Sequence, residues 1–467
     1  MNCRILLLIV LCSLSKIVSA QSGKIRQLDS LITNVYRSGE FNGNILVAEK
    51  GKIIYEKSFG LANEKTKKKL NVATTFELAS VSKQFTAMGI VQLQKEGKIS
   101  YDDLVSKYIP ELKIYEEVTI QNLLTHTGGL PDYMDLMMAE KGDKTNSITN
   151  NDVIIFFYKF QPKRDFDPGE KFEYSNTGYI FLATIIERVS GKSFEEYLKE
   201  KIFIPLGMTN TFVYRSRYQP KKLSNYALGY IYSDSLKRKI LPDEEGKNSP
   251  YVYLDGMFGD GMINSNLKDL LKWDRALYEN NIINDEDKKL IFSSHKIKDT
   301  LETNYGYGWF IRHDGLYGKT VSHTGRWAGY LTLFERDIDN DKTIIILQNN
   351  ETKITEDIRL IGVNVHKILY GQPIEKPLII SEEKLKRYSG TYTYDNGKES
   401  KIYYEFGRLW TNSEFQLKPI TDTKFIVIGF RPEVTYEFIL SKNNEVEKVR
   451  IQQPGQEVDQ IATRKNR

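Results

Sequence analysis

The chain has 467 residues, 27% of them charged and 40% hydrophobic, so it is neither a disordered polymer nor a membrane bundle. At about 100–200 residues per domain it has room for two to three units and can bury a core without metal or disulfide staples. Lys+Arg 66 against Asp+Glu 61 leaves a formal +5, without the clustered basic stripe that a nucleic-acid partner requires. The five histidines form no HExxH or paired arrangement, which argues against a histidine-built metal site.

In chain order, residues 1–20 read as an export signal: Arg4, an apolar run over 5–12, then small Val18-Ser19-Ala20. The run is far below the ~20 residues of a bilayer span, so no stable membrane anchor is expected. Leu11-Cys12 hints at a lipid-modified cysteine, but the bulky Leu11 fits that signal poorly. Cleavage near Ala20 would deliver a periplasmic or secreted protein. It would also remove Cys3 and Cys12, and with them cysteine catalysis, thiolate metal sites and disulfides.

Ile25, Leu28, Leu31, Ile32 and Val35 recur at helical spacing and predict an amphipathic helix. Runs over 44–48 and 52–57, separated by Glu49-Lys50-Gly51, predict a hairpin. A helical pattern returns from Val81 through Phe85 and Met88. Residues 101–170 read as loops and short helices, followed by a helix over 179–189 that stops at Ser190-Gly191. Another helix is expected over 267–277, capped by Ser265 or Asn266. Strand-like runs at 319–322 and 330–334 flank residue 325, and 343–348 has the continuous apolar character of a strand buried on both faces. A helix over 357–369 closes this unit. Residues 372–384, with Pro373 and Pro377, read as a linker. From 385 to 467 polar residues alternate with Tyr, Phe, Ile and Val between turn signals, which predicts hairpins closing into a small all-β unit. The expected fold is thus α/β over 21–371, then all-β.

With no thiol in the exported chain, hydroxyls are the candidate nucleophiles, and a hydroxyl needs a base held against it. Ser-x-x-Lys on a helix supplies one, because positions i and i+3 share a face. The pattern occurs five times, at Ser13, Ser80, Ser265, Ser293 and Ser381, and alone it describes a solvated helix face. Context selects Ser80, which follows apolar Phe76, Leu78 and Ala79 and opens a helix with Lys83 one turn in. A serine so placed also points its backbone N–H at a developing oxyanion. Tyr-x-Asn occurs at Tyr174, Tyr278 and Tyr394; Tyr174, in a loop before a helix, is the one able to reach a cleft. His-Thr-Gly occurs at His126 and His323. The first lies at a helix–turn junction and reads as structural, the second between strands where its backbone can line a substrate. Trp309 and Trp327 flank the second and suit either pocket lining or core packing.

Residues 76–87, FELASVSKQFTA, resemble the nucleophile segment of the serine β-lactamase and penicillin-binding-protein superfamily, in its class C-like branch. The resemblance continues in order through LLTHTGGLP at 123–131, YSNTGY at 174–179, GMINS at 261–265 and SHTG at 322–325. It implies a β-lactamase-like antiparallel sheet packed with helices, a helical subdomain, and after the linker a lipocalin-like barrel beginning at Tyr388-Ser389-Gly390-Thr391-Tyr392. It further implies acyl transfer without a cofactor. Ser80 would be the nucleophile, and Lys83 and Tyr174 would share the proton work. Asn176 would bind the substrate's acyl amide, and the backbone N–H groups of Ser80 and Arg326 would form the oxyanion hole. His323, Thr324 and Gly325 would border the substrate. Efficient β-lactam hydrolysis in the superfamily goes with lysine at the position of His323. Histidine there leaves Arg326 as the remaining cation for a substrate carboxylate. The expected substrate is therefore a small molecule or peptide, cell-wall-derived material among the candidates, with D-amino-acid peptides, amides or esters ahead of β-lactams. A class C-type β-lactamase and an inactive penicillin-binding-like module are the alternatives.

Overall fold

The structure, a computed structural model, describes residues 22–465 apart from 141–143, 234, 247–248, 299–300, 352–357, 375–377, 379, 406, 412–414, 428–433 and 454–457. The expected export signal with both cysteines, and part of the expected linker, lie outside the described residues. The chain divides into two compact units, one of Leu31–Thr355 and one containing Glu356–Arg467.

The first unit is built on a six-stranded antiparallel sheet. Its strands are β1 (Gly43–Glu49), β2 (Lys52–Phe59), β3 (Phe310–Asp314), β4 (Gly318–Trp327), β5 (Tyr330–Asp337) and β6 (Lys342–Gln348), in the order β3-β4-β5-β6-β1-β2. The N-terminal hairpin thus joins strands almost 300 residues away in sequence, with Val47 opposite Ile344. Two-residue turns close both hairpins that matter here. Lys50-Gly51 (φ 51° and 71°) joins β1 to β2, and Ala328-Gly329 (φ 49° and 91°) joins β4 to β5. Positive φ at both central positions matches the twist of the flanking strands. The apolar run expected to be buried on both faces is β6, with Thr343 through Gln348 all buried in mid-sheet.

Two helices carry the interior beside it. Lys83–Lys95 is buried from Lys83 to Val91, and Asn176–Ser190 from Thr177 to Ile186 before Gly191 ends it at φ 69°. Both are buried on every side over these stretches, and the first takes the polar Lys83, Gln84 and Thr86 into the interior with it. One hydrophobic cluster joins Leu46, Phe334 and Ile345 of the sheet to Phe85, Ile180 and Trp273 of the helices, with Phe85 and Trp273 rings 4.6 Å apart.

Two details differ from the sequence reading. The helix expected from 179 begins at Asn176. Strand β4 continues through residues 323–327, because His323, Gly325 and Arg326 pair with Phe334, Thr332 and Leu331 despite the polar and glycine content that masks the strand pattern. Of the two caps offered for the Leu267–Ala276 helix, Ser265 and Asn266, it is Asn266 that accepts from the Asp269 N–H.

The helix expected to close the first unit runs Ile358–Leu369 and groups with the second, where eight antiparallel strands from Gly390–Tyr394 to Val458–Arg464 close into a barrel. First and last strands pair, Tyr392 opposite Arg464. Ser381, one of the five Ser-x-x-Lys serines, caps a short helix, Glu382–Tyr388, that puts Leu385 and Tyr388 into the barrel core with Tyr392, Phe425 and Phe438. Among the described residues no helix is long and apolar enough to cross a membrane.

Candidate active site

A 3-10 turn, Ala79–Ser82, feeds directly into the Lys83–Lys95 helix and turns Ser80 and Lys83 to the same side. Lys83 Nζ lies 3.1 Å from Ser80 Oγ, 2.9 Å from Asn176 Oδ1 and 2.9 Å from the Asp260 carbonyl oxygen. Three oxygens around one nitrogen match the three donors of an ammonium. The side chain is fully buried, and Nζ sits 5.0 Å from the ring centre of Tyr174 and 5.5 Å from that of Tyr179. Ala79, just before Ser80, is held at φ 48°, a left-handed conformation costing a non-glycine residue about 1–2 kcal/mol. Strand β4 presses on this turn so closely that a Cβ at Gly325 would lie 2.2 Å from the Leu78 carbonyl oxygen and 3.0 Å from Ala79 Cβ. Only glycine allows that approach.

Two acidic residues that the sequence reading did not select complete the surroundings of Lys83. Asp132 caps the helix that follows it and accepts from the Asn176 backbone N–H (2.7 Å) and from Asn176 Nδ2 (3.1 Å). Asp260 accepts from the Tyr133 hydroxyl at 2.9 Å. Burial raises both carboxyls above the usual range; the backbone N–H groups of Asn176 and Met134 oppose this at Asp132, and the charge of Lys83 opposes it at Asp260. Asn176 is therefore engaged at both ends of its carboxamide, with Nδ2 also 3.4 Å from Met134 Sδ.

Tyr174 is half-buried in the loop before the Asn176–Ser190 helix, and its ring face covers Lys83 Nζ. Among the described residues no hydrogen bond joins its hydroxyl to Ser80 or Lys83. His323 is buried, with Nδ1 2.6 Å from the Thr324 carbonyl oxygen and Nε2 3.2 Å from the Tyr305 hydroxyl. Because the carbonyl only accepts, Nδ1 carries the hydrogen and Nε2 accepts from Tyr305. Burial, reinforced by the charge of Lys83, pushes the imidazole down to about 3, so it is neutral at physiological pH. Arg326 is exposed and its Nε is ion-paired with Glu351.

Ser80, Tyr174, Asn176, His323, Thr324 and Arg326 line one cavity of about 390 Å³, with Asp260 on its wall and Met134, Leu254, Phe310 and Trp327 supplying apolar surface. Lys83 lies buried at its edge, in contact with Ser80, and Gly325 packs behind it. Trp327 reaches the cavity, whereas Trp309 is in the core against Phe292 and Phe334. No group of three or more His, Cys, Asp or Glu residues poised for a metal occurs among the described residues.

Beneath the nucleophile turn, Glu77 is fully buried with both carboxylate oxygens lacking a hydrogen-bond partner among the described residues. Burial and the nearby Asp255 and Asp260 outweigh Arg217 and push its carboxyl up to about 8. The folded protein therefore holds a proton that the unfolded chain gives up near pH 4.5, and this group's contribution to stability is lost as pH rises from about 4.5 through 8. Glu77→Gln should remove that alkaline loss: melting temperatures measured between pH 4 and pH 9 fall less steeply in the variant, and parallel curves would contradict the assignment.

Comparison with known proteins agrees with this geometry. The family model described as "Beta-lactamase" matches residues 28–363. Penicillin-binding protein 4* of Bacillus subtilis (strain 168) is 37% identical over 435 residues, covering 91% of this chain and 95% of the relative. Among solved structures, the octameric penicillin-binding protein homologue from Pyrococcus abyssi superposes with TM-score 0.66 at 25% identity, over 94% of this chain and 100% of that one. A D-amino acid amidase from Ochrobactrum anthropi SV3, solved with D-phenylalanine, shares the fold at TM-score 0.61 and 20% identity, over 75% of this chain and 99% of that one. The chain belongs to the β-lactamase and penicillin-binding-protein family of serine hydrolases.

Proposed function

We propose that this hydrolase transfers an acyl group from an amide or ester to Ser80 Oγ and then to water, with D-amino-acid peptides or related amides and esters as its substrates. The observation that carries the reading is Lys83 Nζ 3.1 Å from Ser80 Oγ beside a cavity whose one cationic lining residue among those described, Arg326, is paired with Glu351. The reacting form is the one in which Lys83 is a neutral amine or Tyr174 a phenolate: Ser80 attacks the carbonyl carbon while its proton passes to that base, and the same pair returns the proton to the leaving group. The backbone N–H groups of Ser80 and Arg326 hold the oxyanion, at about 3 kcal/mol per donor. Asn176 fixes the amine of Lys83 through Oδ1, and its Nδ2 can exchange the weak Met134 sulfur for a substrate carbonyl. Neutral His323 with Thr324 and Gly325 borders the leaving-group side and supplies no charge of its own there. D-configured substrates are put forward because a D-amino acid amidase shares the fold.

The same reading places the enzyme outside the cytoplasm after loss of residues 1–20, supported by their charged, apolar and small-residue order. It takes 21–371 as the hydrolase domain and 385–467 as a barrel appendage, supported by the change of sequence character at the 372–384 linker.

Turnover of D-phenylalaninamide and p-nitrophenyl acetate should exceed that of nitrocefin by about tenfold or more in kcat/KM, the equivalent of ~1.4 kcal/mol of discrimination. Nitrocefin as the preferred substrate would favour a β-lactamase instead.

A further inference from the structure

The segment around His126 has the sequence of a helix–turn junction, yet the residue is built into the site from three directions. It is 3% exposed and sits at φ 56°, a left-handed conformation that a histidine adopts at a cost. That conformation lets the His126 main-chain carbonyl accept the Glu173 N–H at 3.0 Å. Its ring returns to the same loop two residues on, where Nδ1 accepts the Ser175 N–H at 3.1 Å. The two bonded residues are the chain neighbours of Tyr174, and the His126 ring lies against the Tyr174 ring with centroids 4.4 Å apart. On its other sides are Tyr305 (4.6 Å) and Tyr179 (5.1 Å).

We propose that His126 is a positioning residue for Tyr174: its carbonyl and Nδ1 pin the backbone on both sides of the tyrosine, and its ring sets the angle at which the phenol stands over Lys83. This rests on the assignment of Tyr174 to the proton transfer at Ser80. Nδ1 must be an unprotonated acceptor for the arrangement to hold. Burial, with Lys83 and His323 nearby, keeps the imidazole well below its usual range, so the acceptor persists at working pH. Nε2 then carries the hydrogen and has no hydrogen-bond partner among the described residues, so the ring is held for the sake of its other nitrogen. A left-handed residue with an orphaned polar atom is retained where surrounding structure compensates, and such strain collects at functional sites.

The test places an acceptor at the right or the wrong atom. Asparagine carries its Oδ1 at the δ position of Nδ1 and tolerates φ above zero, whereas glutamine carries its oxygen one bond further out. With p-nitrophenyl acetate, His126→Gln should lower kcat on the order of 100-fold with KM little changed, as expected when a reacting group is displaced by about 1 Å. His126→Asn should recover most of that loss. In a Tyr174→Phe background, His126→Gln should add no further loss, since its effect passes through the phenol. Equal losses in the Asn and Gln variants, or losses that multiply with Tyr174→Phe, would overturn the proposal while leaving the Ser80 reading intact. Turnover that survives Ser80→Ala would overturn both.

Discussion

Ser80→Ala should lower acylation and turnover by about 10⁴-fold or more while leaving the fold in place. Ser80 Oγ makes one hydrogen bond among the described residues, the 3.1 Å bond from Lys83, so its loss removes the attacking oxygen without opening the core. Residual rate in such variants comes from the oxyanion donors and substrate binding, which remain. The measurement is the single-turnover rate of p-nitrophenol release, with circular dichroism to confirm folding. A loss below tenfold would place the nucleophile elsewhere.

Lys83→Met should cost nearly as much, about 10³–10⁴-fold in acylation, because it removes the amine that touches both Ser80 Oγ and Asn176 Oδ1. Methionine fills the buried channel, but Asn176 Oδ1 and the Asp260 carbonyl oxygen lose a donor, at about 1–3 kcal/mol for each acceptor left unsatisfied. Relief from burying an ammonium offsets part of that. Lys83→Arg separates proton transfer from charge. Guanidinium keeps the charge but does not release a proton, and its planar fork does not fit three oxygens converging on one nitrogen. Acylation in Lys83→Arg should therefore be as slow as in Lys83→Met. A rate within tenfold of wild type would mean that positive charge alone suffices.

The parts of the site legible in the sequence are those that depend on local geometry. Ser80 and Lys83 are one helical turn apart, so their contact follows from spacing once the apolar flank at Phe76, Leu78 and Ala79 is noticed. Tyr174 in a loop before a helix is legible for the same reason, as is the hairpin at Lys50-Gly51. What was not legible depends on chain segments that meet only in the fold. Arg326 reads as a spare cation until Glu351, 25 residues on, is brought against it, and nothing near either residue announces the pair. A lysine base suggests neighbouring cations, yet Lys83 has Asp132 and Asp260 beside it, from segments 49 and 177 residues away. Both carried readable signals: Asp132 sits after Pro131 as a helix cap, and Asp260 stands between Gly259 and Gly261 ahead of the GMINS motif. Tyr305, which fixes the ring of His323, lies in an aromatic and glycine stretch with no local mark of its role. The all-β character of residues 385–467 follows from alternation, though not the number of strands, and the helix Glu382–Tyr388 is too short and too charged for periodicity to reveal.

Mass spectrometry of the protein quenched during turnover of an acylating substrate addresses the central claim most directly. The peptide bearing Ser80 should carry the mass of the acyl group, and the adduct should vanish in Ser80→Ala and build up slowly in Lys83→Met. An acyl group on another residue, or substrate consumed with no covalent species at any quench time, would contradict the account.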